Sequence, residues 1–343
     1  VLAALGALLP AGGCTDARLA AYRDDPFLAE YRYALGENYL EVDGLRFCYQ
    51  EFGRGPTVVI VPGLGTSIDF WQLNIPALAE HFHVLAVDPP GVGKSDKPDA
   101  SYELPWMVEK LVAFLDAKNV EKASLIGGSL GGHLALLIAL DHPERVEKLV
   151  LMGSTGAWDP PGFLLAGALK LFWNEELFID HVRRAWPDIF HMIFKYQTEM
   201  TRRILRYQMA QRACYSTFEA EGRACSRAIL SIFFHSCLHR LREVRCPVLL
   251  VWGEDDQIHP VRDAKVKWKN LPVSRLVILQ DSAHEAMVDQ YARFNEVVVA
   301  FLRFGIQAVR NEIPPASASI PDEPTAIPRI PGPAPLPLLL RLR

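Results

Sequence analysis

The chain has 343 residues, half of them hydrophobic and 22% charged, with a net charge of −4 at pH 7. That is enough apolar material for a large buried core, and the slightly acidic balance supplies no basic footprint for nucleic acid. Its six cysteines, at positions 14, 48, 214, 225, 237 and 246, show neither a C-x-x-C pair nor metal-ligand spacing, so neither a metal site nor a disulfide framework is expected.

The chain opens on VLAALGALLPAGGC, an apolar run followed by small residues and Cys14. This resembles the hydrophobic part of a secretory signal closing on a lipoprotein cleavage site, and the run is too short to span a bilayer as a helix. Residues 1–37 are therefore expected to be a signal-like segment and linker. An exported lipoprotein attached to the membrane through Cys14 and a cytoplasmic protein are both open readings.

NYLEVDGLRFCYQEFG (38–53) reads as a hairpin turning at Asp43-Gly44. Six short runs follow: TVVIVPG (57–63), HVLAVDPPG (83–91), ASLIGGS (123–129), KLVLMGS (148–154), PVLLVWGEDD (247–256) and RLVILQDSAH (275–284). Their hydrophobicity is continuous rather than alternating, which predicts strands buried on both faces of a parallel sheet. Stretches such as TSIDFWQLNIPALAEH and PWMVEKLVAFLDAKN between them fit crossover helices. The expected class is α/β, a mostly parallel central sheet flanked by helices.

The rhythm breaks between residues 157 and 244, which carry no strand signal and are too long for a connection and too apolar for a linker. They predict an inserted helical cap, with 38–156 and 245–305 forming the core around it. Residues 306–343 hold nine of the 25 prolines and are expected to be a disordered tail without chemistry.

Gly127-Gly128-Ser129-Leu130-Gly131 matches G-x-S-x-G, a pattern that a chain of this length meets by chance about one time in ten. Its setting says more: a buried strand precedes it and the apolar helix HLALLIALDH follows, which is what a nucleophile elbow needs. A serine hydroxyl is a weak nucleophile unless a base is held beside it by a third group. His284, in the polar loop after the last strand run, is the preferred base among ten histidines. His133 is expected to be packed or capping, and the His235–His239 pair lacks a third metal ligand. For the acid, Asp256 just past its strand is preferred, with Asp255 and Asp159 as the other candidates. GVGKS (91–95) resembles a phosphate loop, but Asp88 stands where that motif needs glycine.

VPGLGTS, DPPGVGKSDKP, the elbow, HPERVEKLVLMGS, GEDDQIHP and DSAHEAMVD, in that order across residues 38–304, resemble the α/β-hydrolases. They are closest to the cap-bearing branch whose triad runs Ser, Asp, His. The resemblance implies Ser129, Asp256 and His284 as the triad and the backbone N–H groups of Leu64 and Leu130 as the oxyanion hole. Pro62 stands where the family usually carries histidine. A serine at the elbow points away from relatives that attack with aspartate, and no cofactor or metal is implied. The expected reaction is hydrolysis of an ester, or a related acyl bond, of a small hydrophobic molecule. Phe163, Leu164, Phe172, Trp173, Phe178 and Trp186 either line that substrate site or form the cap's own core. Two alternatives stay open. One is carbon–carbon bond hydrolysis of the meta-cleavage type, whose enzymes usually carry Asn where this chain has Gly128 and could use Arg183 or Arg184 to hold a carboxylate. The other is a slow or non-catalytic ligand-binding role.

Overall fold

Asp43 and Gly44 both adopt positive φ, 51° and 72°, closing a two-residue turn between antiparallel strands β1 (Glu37–Val42) and β2 (Leu45–Phe52). The computed structural model describes residues 37–157, 171–196, 198, 201–202, 204 and 215–313. The segment bearing Cys14, and with it Asp159, Phe163, Leu164 and the chain beyond 313, lies outside the described residues, as do the side chains of Arg183, Arg184 and Trp186. No described helix is long and apolar enough to cross a membrane.

The six apolar runs become β3 (Thr57–Val61), β4 (His83–Val87), β5 (Ala123–Gly128), β6 (Val146–Met152), β7 (Val248–Gly253) and β8 (Ser274–Leu279). With the hairpin they form one eight-stranded sheet in the order β1-β2-β4-β3-β5-β6-β7-β8, parallel from β4 onward. β5 and β7 are buried along their whole length, because helices cover both faces of the sheet. The helices of the described residues are α1 (Ile75–Ala79), α2 (Leu104–Ala117), α3 (Ser129–Asp141), α4 (Glu175–Ile193), α5 (Tyr215–Phe234), α6 (Val261–Asn270), α7 (Ala286–Asp289) and α8 (Tyr291–Phe304).

α3 is apolar all round, and every residue from 130 to 140 is buried. It can lie this deep because Gly131 lets it cross β3 closely: a Cβ there would stand 2.1 Å from Val61 O and 2.4 Å from Pro62 O.

α4 and α5 lie between β6 and β7 in the chain and pack on each other. Arg227 of α5 joins them by donating to Glu175, and also reaches Asp99 and Ala100 O next to α2. Ser231 Oγ accepts the N–H of Leu104 at 2.9 Å, so α5 also closes the open amino end of α2. Cys48, Cys225, Cys237 and Cys246 form no disulfide.

The tail expected from residue 306 is docked further than its proline content suggested. Ile306–Ala308 form a 3-10 turn, and Glu312 pairs with β8, exchanging backbone hydrogen bonds with Leu276 O and Ile278 N–H at 2.9 and 2.8 Å. The prolines begin only at 314, so residues 309–312 keep the backbone donors a strand edge needs. Gly131→Ala, which drives a methyl into the β3 backbone, is expected to cost about 3 kcal/mol in chemical denaturation.

Candidate active site

β5 ends at Gly128 and α3 begins at Ser129, whose φ of +50° is a conformation that residues with a Cβ rarely adopt. Such strain costs about 1–3 kcal/mol and persists only where the surroundings over-determine it. Here the fixed ends of β5 and α3 do so, and they lift the half-exposed serine out of the turn. The loop after β3 lies against it: a Cβ on Gly63 would come within 3.0 Å of Ser129 Cβ. That loop is folded by Thr66, whose N–H and hydroxyl both donate to Gly63 O, and it leaves Leu64 half-buried beside the serine turn.

The other two sequence-selected residues come together at the same edge of the sheet. His284 Nδ1 donates to Asp256 Oδ2 at 2.9 Å, and both side chains are almost wholly buried. The second carboxylate oxygen accepts the backbone N–H groups of Ile258 and His259 at 2.9 and 2.8 Å, which locks the acid in one orientation. The loop is held in turn by Trp252 Nε1, which donates to His259 O. Because Nδ1 carries the proton shared with Asp256, Nε2 is left as the basic nitrogen.

The strand between those that carry the serine and the acid is β6. Met152 pairs with Gly128, and the next residue, Gly153, would place a Cβ 3.0 Å from His284 Nδ1 and 3.2 Å from Asp256 Oδ2. Two positions on, Thr155 donates its N–H to Ser129 O at 3.2 Å. One short stretch, residues 153–155, therefore floors both the serine and the His–Asp pair. No side-chain hydrogen bond joins Ser129 to His284 among the described residues.

Burial works against both members of the pair by penalising charge. At Asp256 it pushes the carboxyl up, but the charge and hydrogen bond of His284, with help from His259, outweigh it and hold the carboxyl below its ordinary value. At His284 burial pushes the imidazole down, and Asp256 overcomes it and raises the imidazole. Both directions favour the ion pair that forms when the imidazole takes up a proton.

His133 is buried at the start of α3, pushed down to about 3 by burial, with Nε2 donating to His235 O at 2.7 Å and Nδ1 accepting from Thr155 Oγ1. It is thus a packed neutral ring, as its sequence position suggested. Asp255 turns away from the pair and meets Lys195.

A family model for the alpha/beta hydrolase fold matches residues 56–291, a span holding the serine turn, the acid loop and the histidine loop. This chain is an α/β-hydrolase. Among its relatives, the 2-hydroxymuconate semialdehyde hydrolase of Pseudomonas sp. (strain CF600) is 30% identical over 266 residues, covering 76% of this chain and 91% of that one. A pimeloyl-(acyl-carrier protein) methyl ester esterase of Aeromonas hydrophila is 30% identical over 262 residues, covering 74% and 98%. In three dimensions the hydrolase matches a membrane phospholipase A, a bacterial virulence factor, with a TM-score of 0.65 at 27% identity, over 85% of this chain and 92% of that one.

Three ionisable residues of this hydrolase's site escaped the sequence reading. His259 lies 5.5 Å from the His284 ring and is pushed down to about 3 by burial, so it is neutral. Glu285, next to His284, is buried and raised to about 7 by that burial. Lys267 sits on the inner face of α6, fully enclosed, its Nζ donating to Ser154 O at 2.9 Å and lying 5.0 Å from the Trp252 ring. Only its i+3 spacing from buried Ala264 could have marked it, and the lysines on either side at 265 and 269 mask that signal.

Burial lowers the Lys267 amine to about 8. Between there and the unfolded value near 10.4 the unfolded chain binds more protons, so stability rises with pH across that window. Denaturant titrations from pH 7.5 to 10.5 are expected to show this rise in the wild type and its loss in Lys267→Met.

Proposed function

We propose that this hydrolase cleaves carboxylic esters of hydrophobic substrates through an acyl-enzyme on Ser129. The observation that carries the reading is the buried His284–Asp256 pair, joined to the strained serine through residues 153–155. Ser129 Oγ attacks the ester carbonyl carbon as its proton passes to His284 Nε2. The imidazolium so formed is stabilised by Asp256, then gives the proton to the departing alcohol as the carbon–oxygen bond breaks. Water repeats the sequence on the acyl-enzyme, releasing the acid and restoring the serine. The N–H groups of Leu64 and Leu130 are assigned to the oxyanion, each such donor contributing about 2.7–4 kcal/mol in the transition state.

Gly128 favours the ester over the carbon–carbon reading. A Cβ there would meet Met152 Cε at 2.8 Å and Trp71 Cζ2 at 3.3 Å, so the place beside the serine is lined by apolar atoms and carries no amide. The second reading draws on the 2-hydroxymuconate semialdehyde hydrolase relative. Of the aromatics in the helical segment, Trp173 packs on Phe178 at 5.5 Å and donates to Ser226 Oγ, which supports reading these two as the segment's own packing. Phe172 is exposed. The acyl esterase and phospholipase relatives point to an acyl chain as the apolar part of the substrate.

A panel of p-nitrophenyl esters from acetate to palmitate, run beside a meta-cleavage diketone, separates the readings. Ester turnover with Ser129→Ala reduced about 10⁴–10⁶-fold in kcat is the expected outcome. Turnover of the diketone alone would sink the ester reading.

The base must be neutral to act, so kcat/KM falls as pH drops through the raised pKa of His284. The acid limb is therefore expected above the ordinary imidazole value of about 6.5, and Asp256→Asn moves it down while cutting kcat about 10⁴-fold. A pH–rate profile of both proteins checks this.

A further inference from the structure

The exit of α4, residues 193–196, is bonded to the loops that carry the base and the acid. On one side of His284, Glu285 donates its N–H to Ile193 O at 2.8 Å. On the other, Ala283 donates its N–H to Asp289 Oδ2 at 2.9 Å. The same oxygen accepts the N–H of Lys195 at 2.8 Å. Both neighbours of His284 are thus tied to the end of α4, one directly and one through a single carboxylate. A second arm reaches the acid loop: Lys195 Nζ donates to Asp255 Oδ2 at 2.7 Å, and Asp255 N–H donates to Ser282 O at 2.9 Å. Between the two arms Phe194 is buried against Phe70, their ring centroids 6.0 Å apart, which anchors the exit in the core.

The two arms differ in strength. Lys195 and Asp255 are 35% and 41% exposed, so their ion pair is screened by water and moves a rate by about fivefold at most. The Asp289 carboxyl is half-buried, which raises its pKa, but one oxygen accepts the N–H groups of Ala283 and Lys195 and the backbone of Tyr196 donates to the group as well. In its ionised form such charge-assisted bonds are roughly twice as strong as neutral ones.

We propose that Asp289 is a positioning residue for His284, a clasp that joins the histidine loop to the exit of α4 by accepting the N–H groups of Ala283 and Lys195 together. This deepens the assignment of His284 as the base and rests on it. Through the clasp, the exit of α4 holds the backbone on both sides of the imidazole in one alignment. Loss of the clasp therefore lowers kcat with little effect on KM.

The test is amide hydrogen exchange on the full chain, paired with p-nitrophenyl butyrate kinetics, for wild type, Asp289→Ala and Lys195→Met. In Asp289→Ala, exchange is expected to speed up together at residues 283–285 and 193–196, by tenfold or more on the order-of-magnitude scale of local opening. For the same variant kcat falls about 10–100-fold while KM changes less than about threefold, and Lys195→Met lowers kcat by no more than about fivefold. Faster exchange at only one of the two segments, or an unchanged kcat, overturns the proposal. If Asp289→Ala does not fold, Asp289→Asn takes its place. It keeps one acceptor oxygen without the charge, and partial loss of protection at both segments supports the clasp, whereas loss at one overturns it. A wild type that turns over no ester defeats the reading of the reaction, and the exchange data then decide the clasp alone.

Discussion

A serine held at φ +50° between a buried strand and a buried helix is the constraint on which the rest of this molecule depends. The turn is tight only because α3 passes within contact of the β3 backbone at Gly131, and α3 can do so only because it has no polar face to keep in water. Local strain at one residue is thus offset by apolar burial spread over a helix and three strands. The same rigidity fixes where the loops after β3, β6, β7 and β8 end up, since all of these strands run parallel and end on one edge of the sheet.

Around that edge the molecule encloses an unusual density of ionisable groups. Asp256 and His284 hold each other's charge against the penalty of burial, His133 and His259 give theirs up, and Lys267 and Glu285 sit between the two cases. Low dielectric makes each interaction here stronger than it would be in water and makes any unpaired charge costlier. The backbone supplies much of the pairing, through Ser154 O to Lys267 and through the amides of Ile258 and His259 to Asp256.

Much of this was legible in the sequence, for physical reasons. Strands buried on both faces must be apolar without interruption, so all six runs could be read directly and each became a parallel strand. Asp43-Gly44 announced the hairpin because few other pairs tolerate two positive φ angles in succession. Ser129, Asp256 and His284 stood out because each follows such a run, and the structure brings the last two into contact across 28 positions of chain. What could not be read depends on pairs with no local signature. Asp289 meeting Lys195, Lys267 meeting Ser154 and Arg227 meeting Asp99 each join residues 94 or more positions apart. The docking of residues 306–312 was missed for a different reason: proline content marked the tail, whereas the polar residues just before it carry the edge hydrogen bonds.

That docked stretch has a consequence for how the molecule behaves among its own copies. β8 is the last strand of the sheet, and an uncovered parallel edge offers a row of donors and acceptors to any passing extended chain. Asn311 Oδ1 accepts from Leu276 N–H, Glu312 occupies Leu276 O and Ile278 N–H, and Arg275 reaches back to Val309 O. Residues 309–312, with buried Val309 as their one apolar anchor, thereby cover the β8 side of the sheet, where an open edge would invite templated growth. Proteolytic trimming back to Gly305 would take Val309 out of the core and turn β8 into a seed for cross-chain strand addition.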